Sequence, residues 1–197
     1  MPRRYRMRKR ADAVQDTRRR ILEATMALHA EQGIQATTWE DIAARAGVAV
    51  ATVYRHFASV DELVPACGAL TDEVLRPPTA ADADALLAGV EGVEARLARV
   101  LQALCDFYDR GGEVLLGAWG ERHAIPALAT WLAGKDADRG DLVRAALAPA
   151  GAGPGLVRAA TALSSVLVWQ ALAEAGVSSA ERPGAMLAAI LGNRERM

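Results

Sequence analysis

Cysteine is scarce in this chain, and its scarcity excludes two kinds of small protein. Cys67 and Cys105 are the only cysteines among 197 residues. Two isolated thiols supply neither a disulfide framework nor a cysteine metal cluster. We expect both to be small buried hydrophobic residues of a protein in a reducing cytosol.

Long apolar runs are lacking as well. The longest stretch without a charged residue is Ala159–Ala173, whereas a membrane-spanning helix needs about 20 apolar residues. The basic N-terminus has the positive charge of a signal-peptide start, but charges continue through "ADAVQDTRRRILEATM" (11–26). We therefore expect no export segment, no membrane partner and a cytoplasmic protein.

Catalytic patterns are also missing. The sequence contains no metal-ligand cluster, no paired nucleophile and base, and no phosphate-binding loop. We therefore expect neither an enzyme nor a cofactor or metal site.

Charge is distributed unevenly. Residues 1–20 hold nine Arg and Lys against two Asp, so this segment carries +7, while the other 177 residues sum to −8. A basic arm on a mildly acidic body is typical of contact with nucleic acid or an anionic membrane. The alternative is a tail that only improves solubility.

Strand alternation is absent and helical periodicity dominates, so the predicted fold class is all-α with about nine helices. The first helix is expected to begin at Asp16 or Thr17 and to end near Gly33. Thr38 and Asp41 form a capping-box pattern that opens a second helix, which Gly47 ends. A third helix follows over 50–57. The Pro77-Pro78 pair then marks the boundary between a first domain (15–76) and a second domain (79–197). A basic arm (1–14) precedes the first domain.

Farther along the chain, the glycine pair 111–112 predicts the end of a long helix that begins near 82. Separate helical segments are expected near 125–134 and 137–148, and one helix over 156–175.

Two helices joined by a Gly-containing turn form a helix-turn-helix pattern, whose second helix enters the DNA major groove. Apolar residues are expected to fill the interior of this helix pair: Ile42, Ala43, Ala46, Val48 and Val53. Of the side chains that face outward on the helix over 50–57, only Arg55 offers two hydrogen bonds to guanine. Val50 and Ala51 would touch only thymine methyl groups or bare groove. Thr38 exposes a hydroxyl and a helix N-terminus to phosphate.

The stretch "LHAEQGIQATTWEDIAARAGV" followed by "ATVYRHFASVDEL" resembles the DNA-binding domain of the TetR (tetracycline repressor) family of transcriptional regulators. The resemblance covers Thr17–Leu75. It implies that Thr52, Tyr54 and His56 contact the DNA backbone and that Phe57 anchors the helix in the core. The set of expected DNA contacts is Thr38, Trp39, Arg45, Val50, Ala51, Thr52, Tyr54, Arg55 and His56, with Arg6, Arg8, Lys9 and Arg10 of the arm.

Several of these residues have an alternative role. Tyr54 and His56 are also suited to packing between helices, and Trp39 fits packing as well as DNA contact. Arg45 either contacts phosphate or is solvated, and His29 is expected at the edge of the core. Two positions depart from the family pattern, because Ala49 replaces a frequent capping Ser and Val60 replaces a frequent phosphate-binding Lys.

For residues 79–197 the resemblance implies an effector-binding and dimerisation domain. Its expected pocket is mostly apolar and suits a small hydrophobic or planar effector. The candidate pocket residues are Leu101, Cys105, Tyr108, Trp119, His123, Trp131 and Trp169. The candidate dimer interface contains Leu163, Leu167, Leu172, Met186 and Ile190; the alternative is that these residues belong to a monomeric core.

The sequence thus predicts a homodimeric, ligand-responsive repressor that binds double-stranded operator DNA in the nucleoid. The alternative is a ligand-binding or scaffold protein whose helix-turn-helix binds no specific DNA. An activator is a further variant of the first reading.

Overall fold

A computed structural model describes the backbone of residues 2–194 and the side chains of residues 9–192. Over this range the chain is all-α, as predicted, with two additional 3-10 turns at Ala80–Asp82 and Ala148–Ala150. Residues 2–194 form ten α-helices, and one of them, α5, has only five residues. The expected number of about nine helices is therefore close to the observed number. The helices are α1 Pro2–Gln32, α2 Trp39–Ala46, α3 Val50–His56, α4 Val60–Leu75, α5 Ala83–Leu87, α6 Val93–Glu121, α7 Pro126–Leu147, α8 Pro154–Leu163, α9 Val166–Glu174 and α10 Arg182–Arg194.

Helix α1 starts much earlier than the sequence suggested. Instead of capping a new helix, the Thr17 hydroxyl donates to the carbonyl of Ala13 at 2.8 Å, inside a helix that already runs from Pro2. The expected start at Asp16 or Thr17 is therefore wrong. Arg, Lys and Ala are good helix formers, so the basic arm continues the helix. The end is as predicted, since Gly33 adopts φ +88° and its N–H donates to the carbonyl of His29.

The turn between α2 and α3 has the geometry that the sequence predicted. Asp41 N–H donates to the Thr38 hydroxyl, and the Asp41 side chain accepts from the Thr38 N–H, which closes the capping box. At the other end, Gly47 adopts φ +65°. The N–H groups of Gly47 and Val48 donate to the carbonyls of Ala44 and Ala43, a Schellman arrangement that requires a left-handed residue.

The core beneath these helices contains the residues expected there. Val53 of α3 and Phe57, which directly follows this helix, are buried to 0% and 1% exposure. Both pack on α1, α2 and α4, while Val48 is half-buried against the same cluster. The other buried members are Ile21, Leu22, Ala24, Leu28, Ile42, Ala43, Ala46, Leu63, Cys67 and Leu70.

The structure divides into two compact units. One comprises residues 1–74 and 117–129, and the other comprises 75–116 and 130–197. The sequence-based division placed 117–129 in the second domain, but this segment packs with the first unit. The Glu121 carboxylate explains the difference, because it accepts hydrogen bonds from the N–H groups of Ile34 and Gln35 at 2.9 and 2.6 Å.

The helices of the second unit also differ from the expected ones. Helix α6 runs through the Gly111-Gly112 pair with a kink at Gly111, where φ is −152°. A Cβ on Gly112 would lie 2.7 Å from the Trp169 ring, so the glycines here serve close packing and do not end the helix. Helix α7 continues where two segments were expected. The predicted 156–175 helix is interrupted at Ser164, and the Ser165 hydroxyl caps α9.

Residues 2–194 include no single helix long and apolar enough to cross a membrane, and α8 and α9 meet that test only as a pair bent by 47°.

The left-handed turn gives a first prediction. Replacing Gly47 by Ala should lower the free energy of unfolding by about 1 kcal/mol, because a Cβ is disfavoured at positive φ. Nothing lies within 4 Å of the added Cβ, so the effect arises from the backbone alone. Chemical denaturation followed by circular dichroism measures it.

Gly117→Ala is the matched control, since Gly117 also has open space around it but lies inside α6. It should leave stability unchanged or raise it. Equal decreases in the two variants would contradict the explanation.

Candidate nucleic-acid interface

Helix α3 has one face in the core and one in solvent. Its inward residue Val53 and the following Phe57 are buried, whereas Ala51, Tyr54 and Arg55 are exposed. Residues three or four apart lie on the same face of a helix, so burial of Val53 and Phe57 determines which side chains face outward. Arg55 therefore presents its guanidinium on the open face, as predicted.

Val50, Thr52 and His56 lie at the border between these two faces. All three are half-buried, and Val50 packs against the core cluster, so it is less outward than expected. Ala49 precedes the helix without a side-chain cap hydrogen bond, as its methyl group dictates. In the first turn of α3, Ala51 is therefore the exposed apolar side chain.

The Trp39 and Tyr54 rings connect α2 to α3. Their centroids are 5.0 Å apart with an interplanar angle of 30°. Tyr54 remains 47% exposed, while Trp39 is half-buried. Stacking of this kind stabilises by about 0.5–1.5 kcal/mol beyond area burial. Trp39 thus packs and also holds the tyrosine whose hydroxyl is expected to reach phosphate.

Thr38 is more engaged than the sequence suggested. Its hydroxyl donates to Asp41 Oδ2 at 2.7 Å and accepts from the Asp41 N–H at 3.1 Å. The hydrogen bonds that the Thr38 hydroxyl and the Thr38 N–H donate to Asp41 Oδ2 hold the pKa of the Asp41 carboxyl below its usual range, with the hydroxyl as the larger cause. A phosphate at this helix start would meet mainly backbone N–H groups.

Arg45 forms a two-pronged ion pair with Glu31. Its Nη1 and Nη2 lie 2.8 and 2.6 Å from the two carboxylate oxygens. Both side chains are largely exposed, so the pair stabilises the fold little. The Arg45 guanidinium is thus paired with Glu31 and is not simply solvated. Contact between Arg45 and phosphate remains a prediction, and it requires Glu31 to release the guanidinium.

Positive charge gathers around the end of α3. Burial lowers the pKa of His56, and the nearby cations Arg18 and Arg55 lower it further. The imidazole is therefore neutral near pH 7. Arg18 also stacks over the Phe57 ring at 4.6 Å from its centroid. A phosphate close to His56 would be attracted by two guanidinium groups.

The basic arm extends α1 as a helix. Lys9 and Arg10 are exposed on it. Arg6 and Arg8 lie in the same helix, but their side chains are outside the described residues. At about 1.5 Å per residue, the turns before Asp16 lengthen α1 by roughly 20 Å. Any contact of this arm with DNA would be made by a basic helix.

Comparison with known proteins agrees with this geometry. The family model for bacterial regulatory proteins of the tetR family matches residues 21–67. The HTH-type transcriptional repressor KstR2 of Mycobacterium tuberculosis is 42% identical over 66 residues, which cover 34% of this chain and 30% of that protein. The chain thus spans about a third of the length of this curated relative.

The N-terminal helix-turn-helix domain belongs to the tetR family.

Solved structures extend the likeness of fold beyond this TetR domain. A transcriptional regulator from Rhodococcus sp. Rha1 superposes with a TM-score of 0.63 at 19% identity, covering 89% of this chain and 94% of its own. The regulator LfrR of Mycobacterium smegmatis, solved in complex with proflavine, gives 0.55 at 27% identity, covering 91% and 96%. The fold of an N-terminal TetR domain followed by a helical C-terminal region is thereby confirmed.

The predicted effector-pocket residues are divided between the two units, with Trp119 and His123 in the first unit and the other five in the second. Leu101, Cys105 and Tyr108 are buried on α6 in the second unit, as parts of a packed core. The Tyr108 hydroxyl donates to the carbonyl of Ser164 at 3.0 Å, and burial raises the pKa of Tyr108 to about 12. Cys105 Sγ lies 3.8 Å from Met186 Sδ, and burial raises the pKa of this thiol to about 12.

The tryptophans of the second unit differ in their polar contacts. Trp169 donates to Asp109 at 2.9 Å and lies under the Arg182 guanidinium. Trp131 Nε1 is buried without a hydrogen-bond partner among the described residues. Such an indole N–H is suited to a ligand acceptor. Trp119 and His123, by contrast, belong to the first unit with the TetR domain, so they do not join this group.

The residues predicted for the dimer interface differ in how exposed they are. Leu167 is 40% exposed, whereas Met186 and Ile190 are 1% exposed. The last two are core residues of the second unit and offer no surface to a partner. Leu163 and Leu172 are half-buried. Of the predicted interface residues, Leu163 of α8 and Leu167 and Leu172 of α9 therefore remain as candidates.

Glu121 is a structural contributor to the TetR domain that sequence reasoning did not detect. Its carboxylate holds the loop between α1 and α2 through two backbone N–H groups. A Cβ on Gly33 would lie 2.8 Å from Glu121 Oε1, so a larger residue there would force the carboxylate to shift. The partners are more than 80 residues apart in sequence, and no local pattern signals the pairing.

The capping box yields a prediction for the helix that positions the interface. Thr38→Ala should destabilise the protein by about 1 kcal/mol at neutral pH, as is typical when an N-cap is removed. Because the folded-state pKa of Asp41 is depressed, its contribution is present above the unfolded pKa near 4 and disappears as the pH falls through the folded value. The difference between wild type and variant should therefore shrink at pH 3, as measured by urea denaturation.

Thr17→Ala serves as the control, since Thr17 bonds within α1 and not at a helix start. A destabilisation by Thr38→Ala that is equal at pH 7 and pH 3 would contradict the role given to Asp41.

Proposed function

We propose that the protein is a homodimeric, ligand-responsive transcriptional repressor that binds a pseudo-palindromic operator. The observation that carries the proposal is the open face of α3. In a TetR-family domain, this face presents the exposed Arg55 and Tyr54, and the buried Val53 and Phe57 fix its direction. Arg55 reads guanine through two hydrogen bonds, and Tyr54, His56 and Thr52 contact phosphates.

We propose a dimer because one α3 helix can make only a small contact with DNA. A seven-residue α3 with one arginine gives little base discrimination by itself, because a good bidentate pair contributes about 1–3 kcal/mol. Two copies related by a two-fold axis would place their α3 helices in major-groove segments one helical turn apart. Exposed Leu167 with the half-buried Leu163 and Leu172 provides the apolar surface for such a dimer.

The effector is proposed to bind in the second unit. Trp131, with its unpartnered indole N–H, and Trp169 supply aromatic surface there, which favours a small hydrophobic or planar molecule. LfrR, which shares the fold, was solved with proflavine, a ligand of this kind. Effector binding would favour a spacing of the two α3 helices that no longer matches the DNA. Acting on DNA, the protein would reside in the cytoplasm with the nucleoid.

Arg55 provides the direct test. With Arg55→Ala, affinity for operator DNA should fall about 10-fold or more, and the preference for G at one position of each half-site should disappear, since the variant has no guanidinium to bind guanine. Mobility shifts on the region upstream of the protein's own gene, with each base of the site varied, measure both quantities.

Arg45→Ala is the matched control, because Arg45 is an exposed arginine of the same domain paired with Glu31. It should leave base preference intact. Unchanged sequence preference in Arg55→Ala would exclude base reading by Arg55. Absence of any salt-sensitive specific shift would favour the alternative of a scaffold or ligand-binding protein.

The basic extension of α1 gives a second test. Deleting residues 2–10 removes six Arg and Lys. If this helix lies along the phosphates, affinity should fall, and the slope of log K against log salt should become shallower by roughly 1 for each phosphate that the shortened protein no longer neutralises. Affinities measured by fluorescence anisotropy between low and high salt decide the matter, and identical slopes with and without the extension would exclude phosphate binding by it.

A further inference from the structure

A cavity of about 340 Å³ lies within the first unit. It is bounded by the end of α1, the loop between α1 and α2, the starts of α2 and α4, and residues 124–126. Small-molecule sites have volumes of roughly 300–1,000 Å³. This cavity is at the low end of that range and therefore suits a compound of one or two rings.

The wall of the cavity is mostly hydrocarbon with one large aromatic surface. Ile42 and Leu63 line it from the core, and Ile34 and Ile125 close it from the loops. Trp39 supplies an indole ring. A planar aromatic ligand gains from both features, because it buries apolar area and stacks on the tryptophan.

The polar groups at the cavity discriminate by charge. Burial lowers the pKa of His29, so its imidazole is neutral near pH 7 and offers one hydrogen-bond donor and one acceptor. Asp61 contributes a carboxylate. No Arg or Lys is among the described residues that line the cavity. An anionic ligand would be buried without a counter-charge and near a like charge, which disfavours it.

We propose that this cavity is a binding site for a small planar aromatic molecule without negative charge, seated between Trp39 and the aliphatic wall. It belongs to the DNA-binding unit and is distinct from the effector site proposed for the second unit. Trp39 is also the ring that stacks on Tyr54. A ligand here would therefore lie one side chain away from the recognition helix α3.

The test uses 5-fluoroindole and the full-length protein. Its binding is followed by ¹⁹F NMR, while the indole N–H signals of the four tryptophans are recorded by ¹⁵N NMR and assigned by single Trp→Phe substitutions. The Trp39 signal should shift and saturate at the same ligand concentration as the fluorine signal. Trp131 and Trp169 report separately on the second unit, so a ligand bound only there is recognised.

Two comparisons locate the site and its ligand class. Ala124→Phe places a ring at the cavity, where Ala124 is a lining residue, and should weaken the Trp39-linked binding at least tenfold. Ala129→Phe is the control, being an exposed alanine of the same unit that does not line the cavity. Indole-3-carboxylate should bind at least tenfold more weakly than 5-fluoroindole.

Three results would overturn the proposal: a Trp39 signal that does not move up to about 1 mM ligand, a shift that persists in a folded Ala124→Phe protein, or equal binding of the carboxylate. The wild-type Trp39 titration decides by itself if the variant fails to fold. None of these results depends on DNA binding, so they leave the proposed repressor function to its own tests.

Discussion

Burial of Val53 and Phe57 is the constraint on which the presentation of α3 depends. A seven-residue helix is too short to persist alone in water, so its stability derives from the core it covers. The two buried residues lie four apart and leave the opposite face open. The left-handed turn at Gly47 then sets where the helix begins. Every side chain assigned to DNA on α3 takes its direction from these few contacts.

Around this core, most of the polar groups at the interface are already engaged within the protein. Thr38 is bonded to Asp41, Arg45 to Glu31, and Tyr54 is stacked on Trp39. Pre-positioned groups lose less conformational freedom when a partner arrives. Groups held by a competing carboxylate, as Arg45 is, must exchange one anion for another. Arg55 differs in lying exposed on the open face, which suits it to the reading of bases.

Local signals predicted this part of the molecule well, because each depends on residues close in sequence. The Thr38–Asp41 box spans four residues, and the Gly47 turn involves only its immediate neighbours. Elsewhere the structure depends on tertiary packing, and predictions from local sequence were wrong. A glycine pair costs a helix roughly 1 kcal/mol per residue, but α6 continues through Gly112, where the Trp169 ring leaves no room for a Cβ. The burial of Met186 and Ile190 likewise depends on helices distant in the chain. The cavity beside Trp39 arises from five separate segments, which no periodic pattern reveals.

The hydrogen bonds from Ile34 and Gln35 to Glu121 have a consequence for biosynthesis. The helix-turn-helix is encoded within the first 75 residues, yet one of its loops takes its acceptor from a residue made much later. A nascent chain would therefore hold α1, α2 and α3 while two loop N–H groups still face solvent. The domain reaches its final form only after the ribosome has also produced the end of α6. A gene fragment cut at the apparent domain boundary would encode the recognition helix without the carboxylate that closes the loop before it.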